Sequence, residues 1–322
     1  MNTTLSRRAL LAAPALVPGL ALAQSFPNRP LRMICPFAAG GSADASARQL
    51  AEPLSAALGQ PVVVENRPGG GATIGAQLVA RAAPDGHTLL YGTPGPQIVN
   101  PHLMRSVPYD PERDFAPVSA YKRAPNLLAV HPGLPARNLA ELIDLAKARP
   151  GALTFASSGI GSSSHLAGEM LKFLARVDIT HVPYRGTSQA MTDLMAGTVA
   201  MALDTLSILL PPSRAGALRA LGVTTPGRSA LAPDLPALAE TLPGFDAAPF
   251  NYIATTGGTP PAIVARLNAA VTGILNDPAY RARMEALGEE ATPSSPEELA
   301  ATIRAESARW KQVIEAAGIR AE

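Results

Sequence analysis

Leu31, Met33, Ile34 and Cys35 form an apolar run that predicts a buried strand over 31–37. Ala47, Leu50, Ala51, Leu54 and Leu58 then recur at helical spacing and predict a helix over about 44–58, with Pro53 expected to kink it or shift its start and Gly59 to close it. Between strand and helix lies Pro36-Phe-Ala-Ala-Gly-Gly-Ser-Ala-Asp44. Gly40 and Gly41 allow a sharp turn with uncovered backbone N–H groups, and the helix brings the positive end of its dipole to the same place. Such a turn holds an anion without a lysine or a metal.

The same alternation continues. Short apolar runs predict strands at 61–65, 88–92, 153–156, 179–183, 199–203 and 218–223, and periodic stretches predict helices to about Ala82, from Asn138 to about Ala148, over 165–175 and over 188–196. Residues 94–117 are proline-rich and read as irregular. Val118–Val130 and Asp246–Ala254 are long extended stretches, candidates for two crossings between lobes. Near the C-terminus, Thr259-Pro260 reads as an N-cap with proline at the first helical position, opening a helix to about Leu275. A short helix follows over about 278–287, and Ser295-Pro-Glu-Glu298 is a capping box for a helix to about Ala317. Strands alternating with helices imply parallel sheets, whose ligands sit at the carboxyl ends of the strands, where each small-residue loop falls.

The first 23 residues stand apart. Arg7-Arg8, an apolar stretch with Pro14 and Pro18, and Ala21-Leu22-Ala23 read as an export signal cleaved before Gln24, too short to remain as an anchor. The paired arginines suit the twin-arginine route; the alternative is an ordinary secretory signal with an incidental Arg-Arg. Without that segment, 25 basic and 25 acidic residues balance, which argues against a nucleic-acid or membrane-surface role. The composition of the full chain, 47% apolar and 16% charged, is globular. Cys35 is the single cysteine and reads as inert packing.

Several chemistries fail on spacing. Gly69-x-Gly71-x-x-x-Gly75 lacks the dinucleotide spacing and the acid at the end of the next strand, and reads instead as a tight turn packing a helix on the sheet. There is no phosphate loop with its lysine, and His87, His102, His131, His165 and His181 show no metal-ligand spacing. Ser164-His165 lacks a nucleophile elbow and an orienting acid. Ser157-Ser-Gly-Ile-Gly-Ser-Ser-Ser164 is more specific, since it offers hydroxyls and backbone N–H groups together at a helix start. Tyr184-Arg-Gly-Thr187 adds a guanidinium, which either faces the loop or faces solvent. Asp44 and Asp204 are acids beside these loops.

Five blocks together resemble the substrate-binding receptors of tripartite tricarboxylate transporters, the Bug family. They are Pro36–Asp44, Gly59–Gly69, Pro84-Asp-Gly-His-Thr88, Ser158-Gly-Ile-Gly-Ser162 with His165-Leu166, and His181-Val-Pro-Tyr-Arg-Gly186. The resemblance implies an α/β fold of the type II periplasmic-binding-protein kind: two parallel-type lobes, joined by two crossings, with a cleft between them. Lobe 1 is expected at 24–122 and 248–322 and lobe 2 at 123–247. By position the family's ligand contacts fall on Phe37, Ala39, Gly40, Gly41, Asp44 and Thr93 in lobe 1, and on Ser158, Gly159, Ser162, Arg185, Gly186, Thr187 and Asp204 in lobe 2. Phe250-Asn-Tyr252 stands where the family often has a tryptophan, and Cys35 replaces an aliphatic residue. The implied protein is a monomeric periplasmic receptor without cofactor or metal, which closes on a small carboxylate and docks transiently on integral-membrane carrier subunits. The alternatives are an orphan receptor feeding a signalling system and a hydrolase using Ser164 and His165.

Overall fold

The computed structural model describes residues 26–318, apart from 38, 41, 160, 161, 185 and 186. The export signal and the site candidates Gly41, Arg185 and Gly186 therefore lie outside the described residues.

The chain builds two sheets. In the first, β1 (Leu31–Cys35) pairs in parallel with β2 (Val62–Asn66) and β3 (Thr88–Gly92). Helix α1 (Ser42–Leu58) follows β1, and α2 (Thr73–Ala80) follows β2. The sheet is completed by β4 (Phe115–Arg123), β10 (Phe250–Thr256) and β11 (Glu290–Ala291), giving the order β11-β4-β10-β3-β1-β2. In the second, β6 (Thr154–Ser157) pairs in parallel with β7 (Thr180–Pro183) and β8 (Met201–Thr205). Strands β5 (Asn126–Val130) and β9 (Arg219–Val223) complete the order β7-β6-β8-β5-β9. Its helices are α4 (Leu139–Ala148), α5 (Ser163–Ala175), α6 (Thr187–Met195) and α7 (Leu206–Arg214).

Each sheet keeps the expected parallel core of three strands. The strands flanking the crossings run the other way: β10 is antiparallel to β3 and β4, and β5 to β8 and β9. The chain leaves the first sheet after Arg123, enters the second at Asn126, and returns between Val223 and Phe250. The crossings bond to each other through Ala124 N, which donates to Pro249 O at 3.1 Å, and the two ends of the return are joined by Ala247 N donating to Thr224 O at 3.0 Å.

Apolar burial follows the sheet faces. Leu50 and Leu54 of α1 and Leu267 and Val271 of α8 (Pro261–Leu275) are fully buried against Leu31, Met33, Leu89 and Tyr91. Each side chain so buried contributes about 1.5–3 kcal/mol before entropy. A second cluster covers the outer face of the other sheet with Leu194, Leu206 and Leu209. A third runs between the sheets, from Ile34 and Tyr252 to Phe155 and Met170, and includes Leu299, Ile303, Trp310 and Val313 of α10 (Pro296–Ala317). Helix α10 thus packs on both halves. Its start is the expected box: Ser295 Oγ accepts from Glu298 N at 3.1 Å, and Glu298 Oε2 accepts from Ser295 N at 2.8 Å.

Several expectations shift. Helix α1 starts before residue 44 and continues through Pro53, because its buried stripe is uninterrupted. The N-cap of α8 is Pro260 with Pro261 at the first helical position; Thr259 Oγ1 instead donates to Thr256 O at 2.7 Å. The segment read as irregular contains a π-turn, Gly95–Val99, and a one-turn helix α3 (Asn100–Leu103). Helix α7 was not among the expected elements; it contains Pro211 and Pro212, and Leu206 and Leu209 bury one face of it. The short helix near 280 is α9 (Pro278–Ala286), capped by Asp277.

Gly92 sits opposite Tyr252 in the β3–β10 ladder, and a Cβ there would lie 2.2 Å from the buried Tyr252 ring. Gly92→Ala is expected to lower stability by about 1–3 kcal/mol through overpacking. Urea unfolding measures it, and an unchanged midpoint would contradict this packing.

Candidate functional site

The first loop is built around Asp44. Gly40 has φ +81°, and its N–H donates to Asp44 Oδ2 at 2.9 Å. The other oxygen, Oδ1, accepts from Asn66 Nδ2 at 2.9 Å and lies 2.9 Å from Arg48 Nε. Asn66 Nδ2 also reaches Phe37 O at 3.1 Å. The end of β2 thus ties both sides of the turn after β1. The Gly40 N–H, then Arg48 and Asn66, lower the Asp44 pKa to about 2. Asp44 belongs to the scaffold of the loop, and Asn66, not singled out in the sequence, is its partner.

The corresponding loop of the second sheet is held by serines. Ser162 caps α5, accepting from His165 N at 3.3 Å while donating to Gly159 O at 2.6 Å. Fully buried Ser164 accepts from Ser158 N at 3.0 Å and lies 3.0 Å from the hydroxyls of Ser158 and Ser162. Beneath them Ser157 Oγ meets His181 Nε2 at 2.6 Å, and the rings of His165 and His181 stack at 4.0 Å. Burial, followed for His165 by His181 and for both by Lys172, lowers each imidazole pKa to about 4, so both are neutral near pH 7. Ser164 is therefore a loop brace; its hydroxyl points into the serine cluster, and the His165 ring stacks on another imidazole. At the neighbouring strand end Thr187 Oγ1 donates to Asp204 Oδ2 at 3.2 Å, and Asp204 Oδ1 accepts from Thr205 N at 2.7 Å.

A cavity of about 620 Å³ lies where loops from both sheets meet the second crossing. Of the sequence candidates, Phe37, Thr93 and Ser162 line it. Asp44 is tied to Phe37 through Asn66, and Ser158 and Gly159 to Ser162, by the hydrogen bonds above; Thr187 and Asp204 form a separate pair, and Ala39 and Gly40 are exposed. Other wall segments lie outside these candidates. Gly70, Gly71 and Ala72 border the cavity, with Ala72 at φ +75°, a left-handed conformation costly for alanine. Gly75 packs α2 against Pro36, as a tight turn requires, since a Cβ there would meet Pro36 at 2.8 Å. Asn100 lines the wall too and donates to Gly71 O at 2.7 Å. Ala247–Asn251 and, from far along the chain, Glu306 and Trp310 close the remaining side.

A second cavity, about 710 Å³, lies among α1, α8 and α9, with Arg266 and Arg283 in its walls. It draws on one half of the chain and no small-residue loop. Among the described residues no group of three or more His, Cys, Asp or Glu is placed to hold a metal, and no helix is long and apolar enough to cross a membrane.

Residues 46–319 match the sequence profile of the tripartite tricarboxylate transporter family receptors. The chain belongs to this receptor family. Among its relatives, BugT of Bordetella pertussis is 37% identical over 300 residues, 92% of each chain. The structure of Rpa4515 of R. palustris with adipate shares 38% identity at a TM-score of 0.75, covering 92% of this chain and 99% of that one. The structure of MatC (Rpa3494) from Rhodopseudomonas palustris with bound malate shares 35% identity at 0.71, covering 90% and 100%. The α/β architecture is therefore that of a solute-binding receptor, and the serine–histidine cluster of this receptor is loop scaffold.

The stacked imidazoles make acid sensitivity a test of that scaffold. Their lowered pKa values mean that the unfolded chain takes up protons first, near pH 6.5. Their contribution is complete above that pH and lost as pH falls through about 4. Wild type is expected to lose stability relative to His181→Gln between pH 6.5 and 4 in parallel thermal melts. Parallel profiles for the two proteins would contradict the buried neutral pair.

Proposed function

We propose that this receptor is exported to the periplasm, captures a small carboxylate between two lobes, and delivers it to membrane carrier subunits. The observation that carries the reading is the cavity itself, bordered by Phe37 and Thr93 from one sheet and Ser162 from the other, beside the second crossing. Uncovered N–H groups and hydroxyls at a helix start suit a carboxylate. The adipate and malate in the two solved relatives support that ligand class. In this reading 24–122 and 248–322 form lobe 1 and 123–247 lobe 2. Ala39, Gly40, Gly41, Asp44, Ser158, Gly159, Arg185, Gly186, Thr187 and Asp204 complete the site with the three wall residues. Some of these act through the loop that carries them. Ligand shifts the protein towards a closed form by binding it more tightly than the open one, and the closed form docks on the carrier. Residues 1–23 serve as the export signal.

Thermal shift of the chain lacking residues 1–23, against mono-, di- and tricarboxylates, tests the reading. A true ligand at about a hundred times its Kd adds ~2.7 kcal/mol, a rise of several degrees. Ser162→Gly removes one hydroxyl from the wall at a capping cost of a few tenths of a kcal/mol, and is expected to weaken that ligand about tenfold. Absence of any carboxylate response at millimolar concentration would contradict the proposal.

A further inference from the structure

The cavity has two kinds of wall. Thr93, Ser162 and Ser163 bring hydroxyls to the side formed by the loops. The wall away from them is supplied by α3, α5 and α10: Leu103 and Met104, Leu166 one turn into α5, and Trp310, with Phe250 from the start of β10. Leu103, Leu166, Phe250 and Trp310 are all buried and belong to the core cluster that runs between the sheets.

Among the described lining residues, this second wall offers no cation to a second carboxylate. Glu306 is the one charged side chain among the described wall residues, and it is an acid. Both its oxygens are taken by Arg309, at 2.5 Å, and one also accepts from Trp310 Nε1 at 3.2 Å. Arg309 NH1 in turn lies 3.5 Å from Asp246, which accepts two bonds from Arg123 NH1 at 2.8 and 3.0 Å. Arg309 and Arg123, the cations linked to Glu306, are thus neutralised within the protein. Asn100 and Asn251 each donate one amide N–H to a backbone carbonyl, Gly71 O at 2.7 Å and Gly92 O at 3.4 Å, and bring no charge. An anionic group here would be desolvated without a counter-charge, which is strongly unfavourable. A hydrocarbon body would gain from the same surroundings.

We infer that the ligand is a monocarboxylate with an apolar body, its carboxylate at the loops and its hydrocarbon against Leu103, Met104, Leu166, Phe250 and Trp310. This rests on the receptor reading above and narrows its substrate class away from polar di- and tricarboxylates. The volume, about 620 Å³, falls within the ~300–1,000 Å³ common for small-molecule sites, so a body of six to eight carbons or one ring fits with room to spare.

Isothermal titration of the chain lacking residues 1–23 with straight-chain monocarboxylates from butanoate to octanoate, and with malate and adipate, tests the inference. Affinity is expected to rise up to about fourfold per added methylene, the transfer value for a buried CH₂, and octanoate to exceed adipate by at least tenfold. Met104→Lys sets a free cation in the apolar wall at a half-buried position and is expected to reverse the order of octanoate and adipate. Trp310→Ala is expected to flatten the chain-length series; where it melts early, Met104→Lys carries the test alone. A flat series in the wild type, or malate or adipate binding more tightly than octanoate, overturns the inference and leaves the receptor reading standing. Failure of every mono-, di- and tricarboxylate to bind overturns the receptor reading and this inference with it.

Discussion

Asp44 accepts from Gly40 N and Asn66 and pairs with Arg48, and so fixes the turn after β1 from within. The site depends on this kind of self-bracing. Backbone N–H groups bind an anion well only when their geometry is set beforehand, because ordering a loop at the moment of binding costs free energy. In the second sheet Ser162 and Ser164 do for their loop what Asp44 does for the first, satisfying one another and the backbone of Ser158 and Gly159. The polar side chains that look most like ligand contacts in the sequence are largely occupied in holding their own loops. Thr93 and Ser162 bring their hydroxyls to the cavity wall itself.

Beside the apolar cluster that runs between the sheets, a small polar network links the two halves. The crossings bond to each other at Ala124 and Pro249, and Arg123 at the end of β4 holds Asp246 just before β10. Arg309 links that pair to Glu306 on α10, the helix that packs on both halves and walls the cavity. Opening and closing about the crossings, as proposed, must either preserve this chain of charges or exchange its partners, since an unpaired charge at these partly buried positions is costly. In the proposed opening and closing, the same residues would set both the electrostatic character of the cavity and the resistance to that motion.

The parts legible in the sequence are those with local causes. The capping boxes and caps at Asn138 and Ser295, the apolar stripe of α1 and the glycine turn at Gly40 are determined by neighbours a few residues away. The antiparallel insertion of β10 between β3 and β4 was not legible, because pairing partners so far apart in the chain, such as Phe250 with Arg123 and Tyr252 with Gly92, leave no periodic trace in either strand. Helix α7 was hidden by Pro211 and Pro212, where burial of Leu206 and Leu209 overrides a poor local propensity. In the site, the small-residue loops stood out by composition, whereas Leu103, Leu166 and Trp310 look like ordinary helical core residues. Only the packing of α10 against α3 and α5 turns them into a cavity wall.

The most direct test of the account is a crystal structure of the protein with the carboxylate that raises its melting temperature most. The account predicts carboxylate oxygens within hydrogen-bond reach of the turn after β1 and of the Ser158–Ser162 loop, in the cavity lined by Phe37, Thr93 and Ser162. A carboxylate lodged instead on Arg266 or Arg283 in the cavity among α1, α8 and α9, with the loop cavity holding only solvent, would contradict it.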